Sequence, residues 1–257
     1  MEGSAPLPNF LIIGAQKSAT RWLRTHLGEH PDIFTADHEI SFFTGHFRKG
    51  PDWYRQHFAS HRNETWIGEA TPAYMMWKNP PARIADRILE TLGPIKLFAL
   101  LRNPVDRTYS AFVHHVRAGR IRPEFDLFDR LDAIEPEEDP LFLITGSWYA
   151  RSLLPFIEKF RDQLQVIVHD DILARPQETF SSALNHLGIK EGFVPENLSK
   201  IKNHGKLPPG SPHAKSKSGE RRELSSNDRR KLFSFFEDDV KQLERLLHRD
   251  LSFWRPG

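Results

Sequence analysis

The sequence of 257 residues contains no cysteine, which excludes disulfide bonds, thiolate metal sites and cysteine nucleophiles. It also lacks any apolar run near the roughly 20 residues that a membrane-spanning helix needs. No charge of either sign predominates: 36 Lys and Arg residues face 34 Asp and Glu residues, a net charge of +2, which argues against a general nucleic-acid-binding protein. The first residues show no secretory signal or transit peptide, so we expect a cytoplasmic location.

Charge is nevertheless uneven along the chain. Residues 124–139 contain eight acidic side chains against one arginine, and we expect this acidic insert to lie solvated at the surface, because buried carboxylates need partners. Residues 203–219 are rich in Pro, Gly, Ser and Lys without apolar periodicity, which predicts a mobile basic loop. We expect residues 1–8 to be disordered.

Strand-like and helix-like segments alternate along the sequence. Uninterrupted apolar runs, typical of buried parallel strands, occupy residues 10–13 and 97–101, and residues 165–168 are a third predicted strand. Patterns with helical spacing or helix-start signals follow or separate them: 20–27, 79–92, 104–118, 148–160, 176–187 and a last helix from 227. This order predicts a single α/β domain over residues 1–257, with a central parallel sheet flanked by helices.

The first predicted strand leads through residues 14–20 directly into a helix. Small residues permit close backbone approach, the helix N-terminus offers free N–H groups, and Lys17 adds positive charge, as in a P-loop-like phosphate site. The full ATPase pattern, with a second glycine before the lysine, is absent. An ordinary strand-to-helix turn with a surface lysine is the alternative.

A second anion signal follows the second predicted strand. Arg102 stands at the end of that strand, and Pro104 starts a helix on which Arg107 and Ser110 share a face. A guanidinium and a hydroxyl near a helix N-terminus can bind a phosphate. The alternative is an arginine at the sheet edge and a solvent-facing serine. Two such motifs after two strands predict a ligand with phosphates at both ends.

These two motifs resemble the 5′-phosphosulfate loop and the 3′-phosphate motif of sulfotransferases that use 3′-phosphoadenosine 5′-phosphosulfate (PAPS). The resemblance is greatest to the heparan sulfate sulfotransferase branch and its bacterial relatives. It extends over residues 9–254. Further similar segments, in the family's order, are residues 38–43, 53–58, 68–74, 215–217 and 249–254.

The resemblance implies roles for single residues. Glu39 takes the base position, Lys17 faces the leaving oxygen, and His38 can supplement the base. PAPS, with PAP as its product, is the implied cofactor, and no metal is implied. The residues implied to bind the nucleotide are Lys17, Ser18, Ala19, Thr20, Arg21, Arg102, Ser110, Lys215 and Lys217.

Three positions depart from the family's pattern. Ala19 stands where the phosphosulfate loop usually has glycine, which restricts the backbone beside the phosphate. His38 replaces a lysine before the base, and Ala70 replaces a lysine after Glu69. The last two changes remove positive charge near the acceptor, and so affect which acceptor is used more than whether sulfuryl transfer occurs.

Two other functions remain open from the sequence. A P-loop kinase would need the full phosphate loop with a Ser or Thr after its lysine, of which Ser18 supplies only the latter. A catalytically idle nucleotide-binding scaffold is compatible with Ala19 and Ala70. The acceptor is a small molecule, a glycan or a carrier-bound group, with no nucleic acid and no membrane span. His57 and His61 are four residues apart, as in a helical metal pair, but no glutamate lies between them as in the His-Glu-x-x-His pattern, so we do not expect them to bind a metal.

Overall fold

The computed structural model describes residues 5–76, 80–128, 131, 139–190, 192–199, 207, 211–214 and 222–257. The chain forms two compact units. The first comprises Met1–Arg102 and Ser152–Ile201, and the second comprises Asn103–Arg151 and Lys202–Gly257. That residues 1–257 act as a single domain stays a prediction.

The first unit contains a sheet of five parallel strands in the order β2-β3-β1-β4-β5. The predicted parallel α/β sheet is thereby confirmed. The strands are β1 Phe10–Gly14, β2 Ile33–Thr35, β3 Trp66–Ala70, β4 Lys96–Leu101 and β5 Leu164–Val168.

The central strands are apolar on both faces because both faces are covered. All five residues of β1 are buried, and so are residues 97–101 of β4. One face packs against α1 (Thr20–Leu27) and α7 (Pro176–His186), where Trp22 and Phe180 meet edge to face. Burial on both sides explains why uninterrupted apolar runs, rather than alternating ones, predicted these strands.

Strands β2 and β3 lie outside the predicted set. β2 has only three residues, and β3 carries Gly68 and Glu69, which strands normally disfavour. A Cβ at Gly68 would overlap the ring of Phe10 on β1, so the glycine permits close strand approach.

The other helices of the first unit lie between or after the strands along the chain. Among the described residues, no helix is long and apolar enough to cross a membrane. α5 contains the boundary between the two units at residues 151 and 152. The helices are α2 Gly50–Gln56, α3 Pro81–Leu92, α5 Tyr149–Phe160 and α6 His169–Ala174.

The second unit contains α4 (Pro104–Arg117), α8 (Ser226–Phe233) and α9 (Glu237–Leu247). The single last helix predicted from residue 227 is therefore wrong: it is interrupted at residues 234–236. The turn lets Phe236 become fully buried, and its amide donates to the carbonyl of Phe233. Burial of an aromatic ring thus overrides helical continuity.

Two surface expectations need correction. Asp139, counted in the solvated acidic insert, is buried, and its carboxylate accepts bonds from backbone N–H groups of residues 143–145. His213, inside the expected mobile loop, is fully buried against Phe112, and its Nε2 accepts from the amide of Leu127. Hydrogen bonds satisfy the Asp139 carboxylate, and His213 is held by its Nε2 bond and by packing against aromatic rings. Most of residues 129–138 and 203–219 lie outside the described residues.

The expectation that residues 1–8 are disordered is also corrected for residues 5–8. Residues 1–4 lie outside the described part of the chain, whereas residues 5–8 have a defined place. The guanidinium of Arg55 donates to the carbonyl of Ala5 at 3.0 Å, and Pro8 is buried.

Candidate active site

The loop between β1 and α1 has an unusual backbone. Lys17 and Ala19 both adopt left-handed conformations, with φ of 68° and 71°. The amide of Ala15 donates to the carbonyl of Leu100 on β4 at 2.7 Å, which fixes the start of the loop to the sheet. Ala19 therefore adopts the conformation that glycine adopts at lower cost.

Gly14, at the end of β1, allows a second segment to approach the loop. A Cβ there would lie 2.9 Å from Cβ of Met75 and 3.0 Å from the carbonyl oxygen of Pro72, with φ of 151°. No side chain fits that space. The glycine thus brings the turn after β3 against the loop.

The loop fits a phosphate group by two observations. Ser18 is fully buried, and its Oγ has no hydrogen-bond partner among the described residues. Ala19, as N-cap of α1, offers no side-chain acceptor to the first amides of that helix. A buried hydroxyl and free helix amides are suited to phosphate oxygens. Thr20 is buried at the first position of α1, and Arg21 next to it is exposed.

Arg102, predicted from the sequence to belong to a separate second anion motif, contacts this loop. It follows β4, is only 9% exposed, and its guanidinium donates to the carbonyl of Lys17 at 3.3 Å. A cation held beside the phosphate-binding backbone is a second anion contact in the first unit.

The other residues of the predicted 3′-phosphate motif have different positions. Arg107 is fully buried in the second unit, where it donates to the carbonyls of Phe142 and Leu143. Its expected place on the phosphate face is thus corrected, since these carbonyls take its guanidinium. Ser110 is half-buried on α4 of the second unit. Lys215 and Lys217 lie outside the described residues.

Glu39 lies in the segment after β2 and is solvent-exposed. Partial desolvation by the surrounding protein raises the pKa of its carboxyl, while the positive charges of Arg24 and Lys17 oppose that rise. The structure therefore brings Glu39 within electrostatic range of the loop lysine. Arg24 was not singled out by sequence reasoning; its place on α1 three residues after Arg21 was the available signal.

His38 belongs to a chain of polar side chains at the surface. Its Nδ1 lies 2.6 Å from Oδ1 of Asp37, and its Nε2 lies 3.2 Å from Nδ1 of His57. The ring of His57 packs edge-on against Trp53 at 4.5 Å. Desolvation, and then the charge of His38, lowers the pKa of His57. His57 was considered in the sequence only as a metal ligand.

Glu69 is the fully buried carboxyl group of this edge of the sheet. It accepts bonds from the hydroxyls of Tyr74 at 2.5 Å, Thr71 at 2.7 Å and Tyr54 at 3.2 Å. Burial raises its pKa to about 7, although the three hydroxyl bonds favour the ionised form and oppose that rise. The sequence reasoning assigned Glu69 no role of its own.

The remaining histidines make local contacts. His26 and His61 use Nδ1 to contact the carbonyls of Trp22 and Phe58, and Nδ1 of His30 accepts from the amide of Asp32. Within the described ranges, no group of three or more His, Asp or Glu side chains is arranged to hold a metal ion.

The site combines a loop suited to a phosphate group, a cation and a carboxylate at the carboxyl ends of parallel strands, where such sheets bind ligands. Comparison with protein-family models finds no match. A solved sulfotransferase structure from Alicyclobacillus acidocaldarius superposes with a TM-score of 0.79 at 28% identity, covering 97% of this chain and 99% of that one. The resemblance to PAPS-dependent sulfotransferases that the sequence indicated is thereby confirmed.

Two curated relatives agree with this assignment. The mouse (Mus musculus) heparan sulfate glucosamine 3-O-sulfotransferase 3A1 is 29% identical over 197 residues, which are 74% of this chain and 48% of that protein. The membrane-associated sulfotransferase kil1 of Dictyostelium discoideum is 42% identical over 112 residues, 41% of this chain and 22% of that protein. This sulfotransferase chain thus spans half or less of these relatives' length.

Proposed function

We propose that this chain transfers a sulfuryl group from PAPS to an acceptor hydroxyl, with Glu39 as base and Lys17 at the leaving oxygen. The observation that carries the proposal is that Lys17 and Glu39 follow the carboxyl ends of β1 and β2 in one parallel sheet, where the positive charge of Lys17 acts on the Glu39 carboxyl. One is suited to take a proton and the other to stabilise developing negative charge, and this reaction needs both.

The donor side of the site follows from the loop. Bound PAPS supplies the sulfuryl group and, as PAP, the leaving group. The buried hydroxyl of Ser18 and the amides at Ala19 and Thr20 are suited to the 5′-phosphate. Arg102 supplies positive charge beside them. Roles for Arg21, Ser110, Lys215 and Lys217 in binding the nucleotide stay predictions from the resemblance.

On the acceptor side, Glu39 removes the hydroxyl proton as the oxygen attacks sulfur. The new sulfur–oxygen bond forms while the bond to the bridging oxygen breaks, and the charge left on that oxygen faces Lys17. The raised pKa of Glu39 makes it a stronger base than an ordinary glutamate. His38, held by Asp37, is proposed to orient the acceptor.

The proposed acceptor class is a sugar hydroxyl. The relative with the larger coverage is named for transfer to heparan sulfate glucosamine. Without the lysines that His38 and Ala70 replace, we expect an acceptor less anionic than heparan sulfate. The cytoplasmic location stays a prediction.

The test is incubation of the full chain with PAPS and an acceptor panel, read by intact mass. The panel contains an N-sulfated heparan oligosaccharide, an unsulfated chitooligosaccharide and p-nitrophenol. Glu39→Gln should lower kcat about a hundredfold or more while calorimetric binding of PAP stays near normal, since only the base is removed. Arg102→Ala should weaken PAP binding about tenfold or more.

Three outcomes would contradict the proposal. A near wild-type rate for Glu39→Gln would remove the base assignment. Phosphoryl transfer from ATP with magnesium, without sulfuryl transfer, would favour a kinase. Tight PAP binding without turnover on any acceptor would favour a nucleotide-binding scaffold.

A further inference from the structure

The backbone that follows Glu39 is held by two buried hydroxyl groups. The amide of Ser41 donates to Oγ1 of Thr71 at 3.1 Å, and the amide of Phe42 donates to the hydroxyl of Tyr74 at 3.0 Å. Ser41 adopts a left-handed conformation with φ of 56°, which a serine holds only with support from its surroundings.

Both hydroxyls have their own protons committed elsewhere. Thr71 and Tyr74 each donate to the carboxylate of Glu69, one to each oxygen atom. A hydroxyl that donates on one side keeps its lone pairs for an incoming N–H on the other. One carboxylate therefore fixes two hydroxyls as acceptors for two consecutive amides.

We propose that Glu69 is a positioning residue for Glu39. It acts through the hydroxyls of Thr71 and Tyr74, which it holds as acceptors for the amides of residues 41 and 42. This inference rests on the proposed role of Glu39 as base. Because Ser41 lies two residues after Glu39, loss of either amide bond frees the backbone that carries the base.

The protonation state of Glu69 changes this arrangement. As a carboxylate it accepts from both hydroxyls. As a carboxylic acid it carries a proton of its own, so one hydroxyl must accept from it. The proton of that hydroxyl then loses its carboxylate acceptor, and its lone pairs are divided between the acid and the loop amide, which weakens the bond to the amide. The loop is thus held best with Glu69 ionised, above the pKa of about 7 that burial gives it.

Charged and titratable groups face Glu69 from each neighbouring segment. Tyr54 on α2 and Tyr74 in the turn after β3 donate to it, with pKa values far above its own. Glu39 adds to the rise in its pKa by like-charge repulsion. Burial lowers the pKa of Arg24 on α1, and the negative charge of Glu69 opposes that lowering. Ionisation of Glu69 is therefore linked to the charge of the base itself.

The decisive variant is Glu69→Gln, which has the shape of the protonated acid. Its amide nitrogen is a donor, so one hydroxyl must accept from it, loses the acceptor for its own proton and binds its backbone amide (Ser41 or Phe42) less well. We expect kcat, measured with PAPS and the acceptor of the panel that the wild type sulfates fastest, to fall roughly ten- to a hundredfold, as for a displaced catalytic group. PAP binding should stay within about twofold, because the loop of residues 14–20 is untouched.

A pH profile separates positioning from simple stabilisation. Wild-type kcat should rise as the pH passes 7, because Glu69 then becomes ionised, and this step should be absent in Glu69→Gln. Hydrogen exchange gives a readout independent of activity: the amides of Ser41 and Phe42 should exchange faster in the variant.

Tyr74→Phe and Tyr54→Phe form a matched pair. Each removes one hydroxyl from Glu69, but only that of Tyr74 accepts from a loop amide. Tyr74→Phe should accelerate exchange at Phe42 and lower kcat, and Tyr54→Phe should do so much less. Thr71→Val and Thr71→Ser repeat the comparison at Ser41, since serine keeps the hydroxyl.

The outcomes distinguish this inference from the proposed function. If Glu39→Gln loses activity while Glu69→Gln and Tyr74→Phe keep wild-type kcat and wild-type exchange, Glu69 is only structural and the inference is overturned. If Glu39→Gln keeps its activity, the base assignment fails. Faster exchange in Tyr74→Phe would then still show that the Tyr74 hydroxyl holds the backbone amide of Phe42. Should Glu69→Gln not fold, the Tyr74 and Thr71 pairs decide.

Discussion

Two buried carboxyl groups, one in each unit, behave differently although burial raises the pKa of both. Asp239 on α9 accepts from the backbone amides of Ala150 at 2.9 Å and Arg151 at 3.3 Å, in the first turn of α5. Burial raises its pKa to about 6. Glu69 in β3 accepts from three side-chain hydroxyls, and its pKa is raised to about 7.

The difference lies in what the partners can do. A backbone amide has one fixed proton, so a carboxylate bound to helix amides is a cap and nothing more. A hydroxyl can donate or accept, so a carboxylate bound to hydroxyls passes its protonation state on to their further partners. A buried carboxylate bound by backbone amides, as at Asp239, therefore only stabilises its unit. In our proposal the buried carboxylate of Glu69, which is bound by hydroxyls, also positions the segment that carries Glu39.

The largest effect should come from Asp139, a second carboxylate that is bound by backbone amides. It tests whether such a carboxylate only stabilises the protein. Asp139 accepts from three backbone amides and the hydroxyl of Thr145. Asp139→Ala should lower the free energy of unfolding by roughly 3 to 5 kcal/mol, because these donors lose their acceptor. Urea unfolding measures this, with Asp139→Asn, which keeps one acceptor oxygen, as the milder control. A loss of kcat without a loss of stability would break the comparison.

Each of the two carboxyl groups, Glu69 and Asp239, should change the free energy of unfolding by about 3 kcal/mol as the pH rises, but over a different pH range. A carboxyl with a raised folded pKa contributes stability in full below its unfolded pKa, and this contribution is lost as the pH rises through the folded pKa. For Glu69 the loss runs from about 4.5 to about 7, and for Asp239 from about 3.8 to about 6.

Urea unfolding of wild type, Glu69→Gln and Asp239→Asn between pH 5 and 8 measures this difference. Relative to wild type, Glu69→Gln should remove a stability loss between pH 6 and 7, and Asp239→Asn should change only the range below 6. Differences between variant and wild type are compared because the lowered pKa values of His186 and His213 give an opposite slope nearby. Identical profiles for both variants would show that the two carboxyl groups are equivalent.

The smallest effect concerns the loop backbone, without any carboxylate. Ala19→Gly should raise the stability by about 0.5 kcal/mol, because glycine adopts the left-handed conformation at φ of 71° without cost. Ala118, with φ of −82° at the end of α4, is the matched control. There the same change should lower stability by about 0.5 kcal/mol, since only the entropy of the unfolded chain rises. Thermal unfolding measures both changes. If Ala19→Gly destabilises the protein, the backbone at Ala19 is not strained.

Local signals in the sequence were sufficient for the central strands. Burial on both faces gives β1 and β4 uninterrupted apolar runs, and the loop of residues 14–20, whose role in binding phosphate stays a proposal, follows β1 directly in the chain. Arg102 was predictable for the same reason, since carboxyl ends of parallel strands meet at one edge. Glu39 required the family resemblance, because nothing near it in sequence distinguishes it from a solvated glutamate.

Long-range packing decided what sequence reasoning missed. Arg107 looked like a phosphate ligand, but the carbonyls of residues 142 and 143 take its guanidinium. His213 looked like part of a linker, but rings around α4 bury it. The residues that contact Arg107 and His213 are distant in sequence, and the spacing of apolar residues along the chain does not predict such contacts.

The sequence by itself thus determined the parallel α/β class, the loop at residues 14–20 and the family, since these depend on residues adjacent in the chain. Only the tertiary structure decided that Glu69 is buried, which hydroxyls it binds and which amides those hydroxyls hold. The protonation of a buried carboxyl depends on its lost hydration and on the donors that replace water, and both are set by segments brought together from residues 41 to 74.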